Sequence, residues 1–89
     1  MSEQLYQQVL QDNQELEEFT KKLIEMNERK EQLAQYYHGE WINDYEANLE
    51  SESDMYTEDG IWDALYNQNA ALLKLNKVIA SMLYVEDDQ

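Results

Sequence analysis

The chain has 89 residues, which is room for one compact domain and not for two. Twenty Asp and Glu against six Lys and Arg give a net charge of −14, and that charge would repel a nucleic-acid backbone or an anionic membrane surface. With no Cys, disulfides and Cys-ligated zinc are excluded, while an apolar share of 43% is too high for a disordered acidic tail and calls for a folded core.

The first residues, Met-Ser-Glu-Gln-Leu-Tyr-Gln-Gln, lack the basic and apolar regions of a signal peptide. The longest apolar runs, 70–73 and 82–85, hold four residues each, where a membrane span needs roughly twenty. The expectation is a soluble, cytoplasmic, single helical domain.

A helix is predicted over residues 3–37. Leu5, Val9, Asp12, Leu16, Phe19, Leu23, Met26, Lys30, Leu33 and Tyr37 follow alternating steps of four and three, and eight of these ten are apolar. That period draws one stripe along a helix, suited to packing against a partner helix. Tyr6, Leu10 and Ile24 widen the stripe. Glu17–Lys21, Glu18–Lys22 and Glu25–Arg29 are i,i+4 pairs in the favoured order and read as a solvated face.

Gly39 follows the last periodic residues, where a left-handed C-cap would end the helix. His38, a cation at the negative end of the helix dipole, would assist. A short helix over 40–49 places Trp41, Ile42, Tyr45 and Leu49 on one side. Residues 48–57 have loop character and end in a helix-start signal, with Thr57 as N-cap and Glu58 and Asp59 in the first turn. The second long helix is predicted over 58–84, with Ile61, Leu65, Gln68, Leu72, Leu75, Ile79 and Met82 as its seam. The polar tail 86–89 is expected to fray.

The fold class is therefore all-α: two long antiparallel helices with a short connecting helix, a helical hairpin. Such a hairpin leaves Leu10, Ile24 and Leu73 wet, so self-association into a bundle is expected, most simply as a homodimer.

Charge is unevenly spread: residues 1–30 carry −3, residues 31–73 carry −10 without a single Lys or Arg, and residues 74–89 carry −1. A divalent cation site is one reading of the central block, because hard cations need clustered oxygens. The 54–63 segment does not fit an EF-hand, since Asp59 stands where that loop needs Gly. A solvated acidic surface accounts for the block more simply, and no metal or cofactor is expected. Nucleic-acid mimicry towards a basic protein partner is the other functional reading.

Seven of the ten aromatic residues lie between positions 36 and 66. Trp41, Trp62 and Tyr37 are expected in the core, while Tyr36 and Tyr45 suit either a core or a recognition patch. His38 has no second His or Cys with which to bind a metal, no Ser has a base and an orienter nearby, and there is no Gly-rich phosphate loop. Catalysis is not expected. The candidate interaction surface comprises Tyr36, Glu40, Asp44, Tyr45, Glu58 and Asp59.

The segment Tyr36-Tyr37-His38-Gly39-Glu40-Trp41-Ile42-Asn43-Asp44-Tyr45-Glu46-Ala47 resembles the Tyr-Tyr, Glu-Trp, Asp-Tyr-Glu segment of a small bacterial family, domain of unknown function 4298. Thr57-Glu58-Asp59-Gly60-Ile61-Trp62-Asp63-Ala64-Leu65 resembles the family's second motif, an acidic helix start of the Ser-Glu-Asp type followed by an aromatic and leucines. Thr57 stands in the Ser position, and Gly60 departs from the motif in a way expected to loosen the first turn. The resemblance implies a bacterial, Gram-positive, cytoplasmic protein and carries over no activity. The function expected is that of a non-enzymatic interaction or self-association module, with an acidic decoy of a nucleic-acid-binding protein as the alternative.

Overall fold

The computed structural model describes residues 2–83. Tyr84 at the expected helix end and the acidic tail 86–89 lie outside them. Among the described residues every regular element is helical: α1 (Ser2–His38), α2 (Trp41–Ala47), a 3-10 turn (Asp54–Tyr56) and α3 (Gly60–Met82). The all-α class holds. The chain divides into two compact units, Met1–Tyr36 and Tyr37–Gln89.

No Gly or Pro interrupts α1, and residues with short polar side chains are few, so its backbone continues unbroken for 37 residues. Side-chain amides brace successive turns: Gln7 Nε2 donates to Glu3 Oε2 at 2.8 Å and Asn27 Nδ2 to Glu31 Oε1 at 3.5 Å. The Thr20 hydroxyl folds back onto the Leu16 carbonyl at 2.8 Å. Along the predicted stripe, Leu23, Lys30, Leu33 and Tyr37 are half-buried, whereas Leu5, Val9, Asp12, Leu16, Phe19 and Met26 are exposed.

The break after His38 differs from the expected left-handed cap. Neither glycine has a positive φ, and Glu40 stays close to helical geometry at φ −85° and ψ −13°. The Glu40 carbonyl at once accepts from the Asn43 and Asp44 amides, at 3.1 and 3.3 Å. Gly39 and Glu40 thus separate α1 from α2 without a left-handed residue. α2 then ends earlier than expected, because Asn48 leaves helical backbone (φ −126°, ψ 35°) and its side-chain amide donates to the Asp44 carbonyl at 2.8 Å.

The stretch read as plain loop is closely hydrogen-bonded. Ser51 Oγ accepts from the Ser53 amide at 3.1 Å, and Ser53 Oγ accepts from Met55 N at 3.3 Å, capping the 3-10 turn. The expected N-cap role of Thr57 is overturned here. Thr57 closes the 3-10 turn instead, its hydroxyl donating to the Asp54 carbonyl at 2.8 Å and its amide to the same oxygen at 3.2 Å. A hydroxyl engaged with the preceding turn is not aimed at the following helix. α3 accordingly starts at Gly60, after Asp59, whose side chain makes no cap hydrogen bond.

Gly60, the departure from the motif expected to loosen the first turn, is set closely against the preceding turn. A Cβ at this position would overlap the Asp54 carbonyl oxygen and lie 2.7 Å from its carbon and 2.8 Å from Thr57 Oγ1. The absence of a side chain is what lets α3 start directly against the 3-10 turn. Ile61, one residue on, is 2% exposed, and Leu65, Gln68, Leu72 and Leu75 continue the predicted seam as its half-buried face. Ile79 and Met82 are exposed.

Replacing Gly by Ala in a helix ordinarily stabilises it, by up to about 1 kcal/mol. Gly60→Ala is expected to act in the opposite sense, lowering stability by about 1–3 kcal/mol through backbone overlap with Asp54. Urea denaturation followed by circular dichroism measures this, and a gain in midpoint would show that the turn and helix do not meet as described.

Candidate interaction surface

The surface is organised by one side chain. Trp41 is 7% exposed and, with Ile61, is one of the two buried apolar residues among those described. Its indole Nε1 donates to the Met55 carbonyl at 2.7 Å, tying α2 to the 3-10 turn fourteen residues later. A buried indole N–H needs such a partner. On either side of the indole lie Tyr37, at 5.2 Å between ring centroids and tilted by 51°, and Tyr45, at 4.9 Å and 26°. These three aromatics are spaced by four residues. Glu40 keeps nearly helical backbone, and the rings of residues 37, 41 and 45 stay in contact across the break. The His38 ring meets Tyr37 edge-on at 5.4 Å, in the last turn of α1.

Of the candidate residues, Tyr45 is half-buried and belongs to this stack. Tyr36 and Asp44 are also half-buried, and Asp44 contributes its carbonyl to the Asn48 amide. Glu40, Glu58 and Asp59 are exposed. Glu40 and Asp44 stand one turn apart at the start of α2, and their backbones are hydrogen-bonded at 3.3 Å. Glu58 and Asp59 form the bend that leads into α3, where the Asp59 carbonyl accepts from Asp63 N at 2.7 Å. The structure therefore assembles an aromatic stack, with Glu40 and Asp44 between its members in sequence and Glu58 and Asp59 after it.

The expectation for Trp62 is overturned. It is 53% exposed and stacks on Tyr66, with 5.2 Å between centroids and 13° between planes. Ile61 takes the inward position at the start of α3, and the next residue lies about 100° further round the helix. Trp62 and Tyr66 form an exposed aromatic pair that the candidate set omitted. Their four-residue spacing within a helix was the available signal.

Among the described residues, no group of three or more His, Cys, Asp or Glu is gathered so that it could hold a metal ion. No helix there is long and apolar enough to cross a membrane. No family model, curated protein or solved structure matches the chain.

Trp41→Phe keeps a ring in the stack but leaves the Met55 carbonyl without its donor. The expected loss is about 1–3 kcal/mol of unfolding free energy; an unchanged midpoint would show that this hydrogen bond does not hold the turn. The uncompensated run over 31–73 supports a second expectation. Carboxylates ~8 Å apart repel by only about 0.5 kcal/mol per pair in water, but the pairs accumulate and salt screens them. Added NaCl should raise the thermal midpoint, and calcium should raise it no more than NaCl of equal ionic strength.

Proposed function

We propose that this protein is a non-enzymatic helical interaction module that buries its apolar stripes by self-association. In this reading α1 and α3 pair as an antiparallel hairpin, and two copies combine into a bundle in whose interior the α1 stripe also faces α1 of the second copy. The observation that carries it is the amount of apolar side chain left in water: Leu5 is 68% exposed and Leu16 56%, with Ile24, Leu73 and Ile79 also exposed. Each such side chain gains roughly 1.5–3 kcal/mol when fully buried, so covering several of them offsets the loss of freedom on association. A short chain with two buried apolar side chains among its described residues has reason to recruit further cover.

The Tyr-Tyr, Glu-Trp, Asp-Tyr-Glu segment and the Thr-Glu-Asp helix approach support membership of the domain of unknown function 4298 family, and with it a bacterial cytoplasmic setting. A second reading rests on a separate observation, the ten acids over 31–73 with no Lys or Arg among them. In that reading the carboxylates occupy the phosphate-binding face of a basic nucleic-acid-binding protein.

Sedimentation equilibrium at micromolar concentration tests the principal reading, with a dimer expected. A strict monomer would overturn it. Retention from a host lysate of basic nucleic-acid-binding proteins that are released at high salt would favour the decoy instead.

A further inference from the structure

Resting on the self-association proposed above, we infer that α1 pairs antiparallel with α1 of a second copy of this chain, in the one register that sets Asp12 of each copy against Lys30 of the other. The α1 stripe alternates steps of three and four, so its positions are the a and d sites of a heptad. Eight of the ten are apolar, and the two exceptions, Asp12 and Lys30, are of opposite sign and occupy sites of opposite type. In an antiparallel pair each a site meets a d site of the partner.

Once Asp12 meets Lys30, the other layers between them and beyond them follow without a free choice. Val9 meets Leu33, Leu16 meets Met26 and Phe19 meets Leu23, with the two-fold axis passing beside Lys21. Every layer from Val9 to Leu33 is then either apolar on both sides or a charge pair, over ~36 Å of helix. The flanks agree. Glu15 falls between Lys22 and Arg29 of the partner, and both copies of Glu15 bracket the approach of the two Lys22 side chains at the axis.

The competing arrangements lack this match. A parallel in-register pair sets Asp12 on Asp12 and Lys30 on Lys30. Sliding the antiparallel pair by one heptad sets Asp12 on Leu23 or Tyr37 and Lys30 on Leu5 or Phe19, a buried charge facing hydrocarbon. Asp12 is exposed and Lys30 half-buried. The hydrogen bond that Asp12 Oδ1 accepts from Gln8 Nε2 is long, 3.3 Å, and a carboxylate keeps further acceptor sites for an ammonium group. Opposite charges at facing seam sites select register and orientation more than they add affinity.

The full chain, which has no Cys of its own, permits a direct test. Asn13 and Asn27 are exposed, flank the seam and face each other in this register. Asn13→Cys and Asn27→Cys variants, mixed in equal amounts in glutathione redox buffer, should give mainly the 13–27 cross-link on tryptic peptide mapping. A product made mainly of 13–13 and 27–27 links would show parallel pairing and overturn the proposal. Absence of cross-links in a chain that sediments as a dimer would overturn this register while leaving self-association standing, and a monomer would remove both. Asp12→Lys should raise the dimer Kd by roughly tenfold or more, because it sets Lys against Lys in two layers. The double variant Asp12→Lys, Lys30→Asp should return the Kd to within about threefold of the unmodified chain, since the pairs are exchanged and the register kept. A double variant as weak as the single one would overturn the pairing.

Discussion

The hydrogen bond from the Trp41 indole to the Met55 carbonyl is the constraint on which the connection from α2 to the start of α3 depends. It anchors the 3-10 turn, and that turn presents the Asp54 carbonyl to Thr57 and to the face of Gly60. The start of α3, and with it the inward setting of Ile61, depends on that contact. Three features, an indole donor, a Ser-x-Ser turn and a glycine, thereby convert a polar linker into a fixed connection. None of them would order the segment alone, since each isolated hydrogen bond contributes little against the entropy of an open chain.

Burial within the described chain is concentrated where aromatics are concentrated. Tyr37, Trp41 and Tyr45 supply a large area at low cost in side-chain entropy and compensate for a shortage of aliphatic core. α1 shows the opposite economy. It is long and regular, and its N-terminal half keeps Leu5, Val9 and Leu16 in water. Isolated helices in water are marginal because tertiary packing supplies most of helical stability. A stripe of this length is thus a surface in search of cover, and its two charged positions restrict which cover fits.

The distribution of charge separates two tasks. Within α1, acids and bases are interleaved and of opposite sign at matching positions. Over 31–73 they are all acidic, and the exposed members, Glu40, Glu58 and Asp59 among them, surround in sequence the best-packed part of the chain. Like charges spread over a surface keep a protein soluble and repel non-specific partners, at some expense of stability.

How far the sequence reaches is clearest from particular residues. The 3/4 alternation of Leu and Ile determined both long helices and the half-buried face of α3, because the helical period is a local property of the backbone and the stripe needs no knowledge of what covers it. The burial of Trp41 was legible for the same reason, from an aromatic run at the end of a helix. The tertiary structure alone decided that Thr57 faces backwards to the Asp54 carbonyl, that α3 waits until Gly60, and that Ile61 displaces Trp62 from the interior. Thr-Glu-Asp satisfies an N-cap pattern wherever it stands, and a hydroxyl chooses between two turns by which acceptor lies nearer. That choice was made by the indole of a residue sixteen positions earlier, which holds the 3-10 turn in place, and a pattern read along the chain carries no information about so distant a hydrogen bond.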